Sequence, residues 1–377
     1  MRRLTLTITL FLLLLTASCG GGQGDGTGRV TGDTLTERAE LLTMVECDGY
    51  VAAIVENPWK AGEQLAAYAL VPKNSDKEVA VPEGFQRVDV PVEKSLVYSS
   101  TNMSAIAELG ALDAVSAVAD GNYYTPADTV SRMIASGALT DIGNSMSPKL
   151  ETIIDVSPDA ILISPYENAG HGVIDALKVP VIECADYMET SPLARAEWLL
   201  LLGELYGKRD EARAIYNNVV AQYEALCDKI TESTSDRPKV LTELLTSGVW
   251  YVPGGKSYMS RLLTDAGADY PWSDDKSTGS LQLDAGAVID KASDADIWIM
   301  RNYGDVSMKS LAAMSPLYSG IKAYKNGEVY NCDSSVSPIF NDIAFHPERV
   351  LADLASVFHP ETFGTVTNRY YHKVASE

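Results

Sequence analysis

Short apolar runs alternate with helical stretches along most of the chain, and this alternation constrains the fold more than any other feature of the sequence. In the first half the apolar runs and helical patterns follow one another at residues 95–98, 104–110, 115–119, 150–156, 160–163 and 179–182. Short strands that are apolar at nearly every position are typical of a parallel sheet covered by helices on both faces. The sequence therefore predicts an α/β lobe over residues 90–207.

The second half repeats this arrangement. Its apolar and helical runs lie at residues 239–245, 257–266, 296–300, 329–330 and 347–358. The Ile-Asp pair at residues 154–155 is followed by Ser-Pro-Asp-Ala and an apolar run. The Ile-Asp pair at residues 289–290 is followed by Ser-Asp-Ala-Asp and a second apolar run. An internal repeat of this kind favours duplicated architecture. We therefore expect a second lobe of the same class over residues 237–362, followed by a tail at residues 363–377.

One long helical pattern separates the two halves, and it predicts how they are joined. Its apolar residues recur at steps of three and four positions: Ala212, Ile215, Val219, Tyr223, Leu226 and Ile230. This spacing places one apolar stripe along a helix of about 22 residues and roughly 33 Å. The predicted fold class is therefore α/β, with two Rossmann-like lobes joined by a long helix within residues 208–236. A stiff connection of this kind limits the lobes to small rocking motions.

The first residues predict export. A basic pair at residues 2–3 precedes an apolar run at residues 10–15, which leads to a Thr-Ala-Ser-Cys sequence at residues 16–19. This order is typical of a lipoprotein signal peptide. We expect residues 1–18 to be removed and Cys19 to carry the lipid. The lipid would anchor the protein to a bacterial membrane, in the periplasm or at the cell surface.

The segment after the predicted lipidation site is rich in glycine. It contains neither GxGxxG nor GxxxxGK[ST], which argues against a phosphate-binding loop, and we expect residues 19–40 to be a flexible tether. Runs rich in β-forming residues follow at 49–55 and 66–71. They predict an N-terminal β-meander over residues 41–89, packed on the first lobe.

Charge and cysteine content exclude several functions. The formal net charge of −21 becomes −23 once Arg2 and Arg3 are removed, so nucleic acid is excluded as a partner. We interpret the acidic surface as a solvated one and expect a monomer. No CxxC pair occurs, and the sequence leaves open any disulfide among the cysteines that follow the predicted lipidation site, which are Cys47, Cys184, Cys227 and Cys332.

Aromatic residues are concentrated where predicted strands end. In parallel sheets the loops beyond the carboxyl ends of strands bind ligands. The candidate ligand-binding residues of the first lobe are Tyr98, Ser99, Tyr123, Tyr124, Asn144, Tyr166 and Tyr187. Those of the second lobe are Trp250, Tyr251, Tyr258, Trp272, Arg301 and Tyr303. Rings with a few polar groups suit a large flat ligand in a cleft between the lobes. For any single tyrosine, ordinary packing is the alternative.

The sequence offers little for catalysis. Among four histidines only His171 lies near a predicted strand end, and no GxSxG motif occurs. Glu167 and Glu189 are a conceivable carboxylate pair, but nothing in the sequence brings them together. We therefore predict no catalytic residue, no resident metal site and no covalent cofactor. Two alternatives stay open: a zinc- or manganese-binding protein that uses His171, and a secreted two-lobe enzyme.

Several motifs together resemble a known family. They are Glu-Leu-Gly-Ala-Leu-Asp at residues 108–113, Ser-Pro-Asp-Ala at 157–160, Gly-Gly-Lys-Ser-Tyr at 254–258 and His-Pro-Glu-Arg-Val-Leu at 346–351. In this order they resemble the substrate-binding lipoproteins of ABC importers for siderophores, haem and cobalamin, which have the TroA-like fold with a helical backbone. The resemblance covers residues 90–361.

The resemblance implies a function, a ligand and partners. It implies an iron chelate, haem or a corrinoid in the cleft, delivered to an ABC permease and its ATPase. It also implies an acidic residue on each lobe that meets arginines of the permease, and Glu167 matches the first. For the second, Gly286 stands where relatives carry glutamate, so Asp284 is the remaining candidate. The sequence does not choose among these ligands.

Overall fold

The computed structural model describes residues 30–75, 78–124, 128–168, 170–364 and 369–376. The predicted signal peptide and Cys19 lie outside the described residues, as does the first part of the predicted tether. Within the described ranges, no helix combines the length and the apolar character needed to span a bilayer.

A five-stranded sheet precedes the first lobe. Its strands are β1 (Asp33–Thr34), β2 (Leu42–Cys47), β3 (Tyr50–Glu56), β4 (Gln64–Pro72) and β5 (Gln86–Val90), in spatial order β1-β2-β3-β4-β5. The first four strands pair antiparallel, whereas β5 runs parallel to β4. Tyr68 of β4 ties this sheet to the first lobe, since its hydroxyl donates to the carbonyl of Val181 at 2.8 Å.

The first lobe contains a parallel sheet. Its elements are β6 (Ser95–Val97), α1 (Ser100–Glu108), β7 (Val115–Val118), α2 (Thr129–Ser136), β8 (Thr140–Asp141), α3 (Leu150–Val156), β9 (Ala160–Ile163), β10 (Val181–Glu183), α4 (Pro192–Ala196) and α5 (Leu199–Leu205). The strand order is β10-β9-β6-β7-β8, with every pairing parallel. The chain leaves β6 toward β7 and later returns to β9 on the other side, so the sheet reverses its order between β6 and β9.

A single helix, α6 (Arg209–Ser233), leads to the second lobe. It has 25 residues and is therefore about 37 Å long. Of the predicted stripe, Ala212, Val219, Tyr223 and Ile230 are buried, and the other two positions are partly buried. The hydroxyl of Tyr223 donates to Asp265 at 2.9 Å, which adds a polar link between α6 and the second lobe.

The second lobe has two sheets. Its elements are β11 (Val240–Thr242), β12 (Leu245–Thr246), β13 (Val249–Pro253), α7 (Tyr258–Asp265), β14 (Ser280–Asp284), α8 (Ala285–Ala292), β15 (Ile297–Asn302), α9 (Met308–Met314), α10 (Lys322–Asn326), β16 (Val329–Asp333), α11 (Ile339–Phe345), α12 (Pro347–Phe358), α13 (Pro360–Phe363) and β17 (His372–Lys373). Strands β11, β15 and β16 are parallel and β17 pairs antiparallel, while β12, β13 and β14 form a separate antiparallel sheet. The predicted α/β class with two lobes and a long connecting helix is confirmed.

The two lobes contact each other through α1 with α11, and through α4 with α7 and α11. The hydroxyl of Thr101 donates to the carbonyl of Phe340 at 3.4 Å. His346 of the second lobe lies 2.6 Å from Glu108 of α1 and 3.1 Å from Glu348. Burial lowers the pKa of His346, but the two carboxylates outweigh it and raise the pKa to about 9. A protonated imidazole therefore links the lobes.

We expect this link to weaken in alkaline solution. The folded-state pKa of His346 lies above the ordinary 6.5, so its stabilisation is complete below about pH 6.5 and is lost as the pH rises through about 9. Because Glu108 is 36% exposed, screening limits the contribution to about 2 kcal/mol. Urea unfolding of the wild type and His346→Gln should differ by this amount near pH 6 and by much less near pH 10. An equal difference at both pH values would contradict the assignment.

Candidate functional site

A cavity of about 600 Å³ opens at the carboxyl edge of the first-lobe sheet. Its wall includes Tyr98 and Ser100 beyond β6, Asp120 beyond β7, and Ser164 and Tyr166 beyond β9. These loops flank the point where the strand order reverses between β6 and β9. Ligands of open α/β sheets bind at such switch points. The cavity therefore lies where this topology favours a ligand.

Tyr98 supplies both a ring and a hydroxyl to the cavity wall. It follows the fully buried strand β6, and the next residue, Ser99, caps α1 by accepting a hydrogen bond from the Asn102 amide at 3.4 Å. Among the described residues, the buried hydroxyl of Tyr98 has no hydrogen-bond partner. Burial and the nearby Asp120 carboxylate raise the pKa of Tyr98 to about 12, so the hydroxyl stays protonated at neutral pH.

His171 and Glu183 form a polar pair in the same wall. The Nε2 atom of His171 lies 2.5 Å from Glu183 Oε1, and its Nδ1 atom lies 2.9 Å from Asp175. Burial lowers the pKa of His171, but the two carboxylates outweigh this effect and raise it. Both ring nitrogens are thus engaged. No group of three or more potential metal ligands is placed to hold an ion in the part of the chain that the structure describes.

The sequence singled out His171 near a predicted strand end, but it did not bring this residue together with Asp120 and Glu183 in one cavity. The sequence held a signal for two of them, because Asp120 follows the apolar run that forms β7 and Glu183 ends the run that forms β10. The order of strands in the sheet decides which of these ends meet, and that order is not visible in a single sequence. His171 directly precedes the 3₁₀ segment Gly172–Leu177 that leads to β10.

Arg301, a candidate ligand-binding residue, is paired with Glu243. Its Nε donates to Glu243 Oε1 at 2.8 Å, its Nη2 contacts the same oxygen, and its backbone amide donates to Oε2 at 3.3 Å. Glu243 follows β11, and Arg301 lies on the neighbouring strand β15. Carboxyl ends of adjacent parallel strands meet, which explains the contact. The guanidinium also lies 5.7 Å from the ring of Phe340.

Two predicted cleft residues of the second lobe are core residues. Trp250 is 0% exposed, donates from its indole to the Thr242 carbonyl at 2.9 Å and packs against Trp298. Trp272 is also buried and packs against Tyr270 at 5.7 Å. Both rings therefore pack in the core of the second lobe, and their contact with a ligand stays a prediction. Trp250 lies in the antiparallel sheet, where alternate residues face inward, rather than at the end of a parallel strand.

Other predicted residues lie outside the cavity wall. Tyr258 begins α7, and the Arg195 guanidinium lies 4.5 Å from its ring. The hydroxyl of Tyr187 donates to the Pro165 carbonyl at 2.6 Å and holds the loop after β9. Asn144 is exposed and accepts from the Met146 amide. Tyr124 is partly buried, whereas Tyr123, Tyr251 and Tyr303 are exposed.

The cavity thus takes only part of the predicted set. Tyr98, Ser99 and Tyr166 line it, and its remaining wall comes from the first lobe and from Leu65 of β4. The sequence placed the ligand between two aromatic walls, one from each lobe. The structure places this cavity on the first lobe, with the second lobe reaching its neighbourhood through the contact of Phe340 with Thr101.

The three acidic residues that the sequence analysis named differ in exposure and in their hydrogen bonds. Glu167 is exposed beside Tyr166. Asp284 is exposed as well, but its carboxylate caps α8 by accepting from the Ala287 amide at 3.0 Å. Glu189 is fully buried and accepts from the Trp198 indole and from the amides of residues 40 and 41. It therefore holds the N-terminal segment and does not form a carboxylate pair with Glu167.

Comparison with known proteins agrees with this architecture. An uncharacterized lipoprotein of Methanocaldococcus jannaschii is 28% identical over 292 residues, which cover 74% of this chain and 68% of the relative. A periplasmic haem-binding protein of Vibrio cholerae has a TM-score of 0.56 at 17% identity, with coverage of 71% of this chain and 100% of that one. An Fe³⁺-hydroxamate transport protein of Saccharomonospora viridis has a TM-score of 0.53 at 20% identity, with coverage of 73% and 94%.

The chain also matches a protein-family model. The periplasmic binding protein family matches residues 96–336, which include most of both lobes and the connecting helix. The fold is of the TroA-like type, as the sequence resemblance implied. The family and the structural neighbours are solute-binding proteins and not enzymes, which confirms the prediction that the chain is not an enzyme. The chain belongs to the periplasmic binding protein family.

Proposed function

We propose that this protein captures an iron complex, either a siderophore or haem, or cobalamin, and delivers it to the permease of an ABC importer. The cavity at the switch point of the first-lobe sheet carries the proposal, because a ligand there meets the rings of Tyr98 and Tyr166 and several hydroxyl groups. The structural neighbours that bind haem and Fe³⁺-hydroxamate support this ligand class.

The size of the cavity fits part of such a ligand. Binding sites for small molecules measure about 300–1,000 Å³ and combine apolar walls with a few polar groups. The present cavity, at about 600 Å³, has this composition, with Ile163 and Ile174 beside Ser164 and Glu183. A macrocycle larger than the cavity would extend beyond it toward Phe340, whose carbonyl accepts from Thr101 at the start of α1.

We place the proposed contacts with the permease at exposed acidic residues. Glu167 and Asp284, both exposed, are the proposed contacts with the two permease subunits.

A lipid on Cys19 would hold the protein at the membrane, in the periplasm or at the cell surface. The buried carboxylate of Glu197 accepts hydrogen bonds from the backbone amides of residues 37–39 at 2.7–2.9 Å. These bonds fix the chain that follows the proposed anchor to the first lobe. We propose that the protein acts as a monomer.

The proposed function is tested by titration. The ligand-free protein is titrated with haemin, cyanocobalamin, a ferric trihydroxamate and a ferric tris-catecholate, and the fluorescence of its tyrosines and tryptophans is followed. We expect a saturable change with at least one of the four. The absence of a saturable response to all four would contradict the proposal.

One substitution separates binding from folding. The buried hydroxyl of Tyr98 has no partner among the residues described, so Tyr98→Phe should keep the thermal midpoint and weaken binding of the identified chelate about fivefold to tenfold, or about 1 kcal/mol. Tyr206→Phe is the matched control, since that hydroxyl donates to Ser95 at 2.8 Å and is away from the cavity wall. It should lower stability and leave affinity unchanged. Unchanged affinity in Tyr98→Phe would exclude its hydroxyl from the site.

A further inference from the structure

Glu183 has an unusual environment for a buried carboxylate. It is 6% exposed and ends β10, where its backbone amide donates to the Tyr68 hydroxyl at 2.9 Å. One carboxylate oxygen contacts His171 at 2.5 Å. The other, Oε2, is buried and has no hydrogen-bond partner within the described ranges. Glu183 also belongs to a smaller cavity of about 370 Å³ that is bounded by β4.

An unsatisfied carboxylate oxygen is costly to bury, and a hydrogen-bond donor that reaches it recovers much of that cost. The Tyr98 hydroxyl is a second buried polar atom without a partner in the same wall. A hydroxyl can either donate or accept, whereas Oε2 of an ionised carboxylate can only accept. Burial raises the pKa of Glu183 and the contact with His171 opposes this effect; in the ionised form of Glu183, Oε2 therefore needs a donor.

The charges around the cavity indicate that this donor is cationic. The cavity wall contains two carboxylates, Asp120 and Glu183, and one imidazole, His171. Asp175 lies directly behind the imidazole, at 2.9 Å from Nδ1. With His171 protonated, three carboxylates oppose one positive charge. The apolar side chains of Ile163, Val173 and Ile174 complete the wall.

We propose that the cavity is a subsite for a primary ammonium group carried on an apolar chain, with Glu183 as its acceptor. The inference rests on the proposed function and deepens it, because the ammonium would be an arm of the transported ligand. The arm enters between the loops that follow β6 and β9, and its chain packs against the isoleucines. Its charge is balanced by Glu183 and Asp120.

The subsite is tested with a fragment, independently of any iron complex. The wild-type protein is titrated with n-butylammonium and, separately, with 1-butanol, while the ring signals of His171 are followed by NMR and assigned with His171→Gln. A five-heavy-atom ligand binds in about the millimolar range. We expect saturable shifts with n-butylammonium and at least tenfold weaker binding of 1-butanol. Equal binding of the two fragments, or no shift with either, would overturn the proposal.

A matched pair of variants assigns the acceptor. Glu183→Gln should weaken n-butylammonium binding about tenfold, whereas Glu151→Gln removes an equal charge from an exposed position of α3 and should change nothing. Unchanged binding in folded Glu183→Gln would remove Glu183 from the subsite. If Glu183→Gln does not fold, the comparison of fragments on the wild type decides alone. Chelate binding without ammonium preference would reject only the subsite, and ammonium binding without chelate binding would reject only the iron-complex function.

Discussion

Replacing Glu243 by glutamine should lower the free energy of unfolding by about 3 kcal/mol, the largest stability effect that we expect from a single substitution near the strand ends. The side chains of Glu243 and Arg301 are each 18% exposed, and Glu243 accepts from both the guanidinium and the backbone amide of Arg301. Removal of the negative charge leaves a largely buried guanidinium without its counterion, which is more costly than loss of the pair as a whole.

Two controls isolate this effect. The double variant Glu243→Gln with Arg301→Met removes both charges and should recover most of the lost stability. Asp89→Asn breaks the exposed pair with Arg87, whose side chains are 52% and 47% exposed, and should cost less than about 1 kcal/mol. Urea unfolding measures all three. If Glu243→Gln is no more destabilising than Asp89→Asn, Arg301 is not held by this pair, and its guanidinium is again a candidate for contact with the ligand.

The elements of the fold could be predicted because each is specified by nearby residues. The stripe at residues 210–231 becomes α6, and the run at residues 160–163 becomes β9 with the same bounds. The internal repeat corresponds to two helix–strand units, α3 with β9 and α8 with β15. In each case the spacing of the apolar residues indicates which face of the helix or strand is buried, and burial of that face drives its formation.

The site could be predicted only in part, because it depends on which strands are neighbours. Trp250 follows an apolar run, but the chain turns back after β12 and places the indole in the core. Arg301 and Glu243 each end an apolar run, and only the pairing of β11 with β15 brings them together. Tyr98, Ser99 and Tyr166 line the cavity because β6 and β9 are central strands whose exits meet at the reversal of strand order.

The family motifs have a physical role that the sequence did not reveal. Glu108 begins one of them and His346 begins another, and these two side chains form the 2.6 Å contact between the lobes. These two motifs therefore contribute a contact that holds the lobes together.

Filling the cavity should abolish ligand binding, the largest functional effect that we expect. Ser164 lies in the loop after β9 and contributes to the cavity wall. An indole at this position would occupy much of the space between Tyr98 and Tyr166, while the sheet below stays unchanged. Ser136→Trp is the matched control, because Ser136 is exposed at the end of α2 and outside the cavity wall.

Calorimetric titration of the wild type, Ser164→Trp and Ser136→Trp tests most directly whether this cavity holds the ligand. The titrants are haemin, cyanocobalamin, a ferric trihydroxamate and a ferric tris-catecholate. We expect at least one to bind the wild type and Ser136→Trp with equal affinity, and to bind Ser164→Trp at least 100-fold more weakly, a loss of about 2.7 kcal/mol or more. Equal affinity of Ser164→Trp and the wild type, or binding of none of the four, would contradict the account.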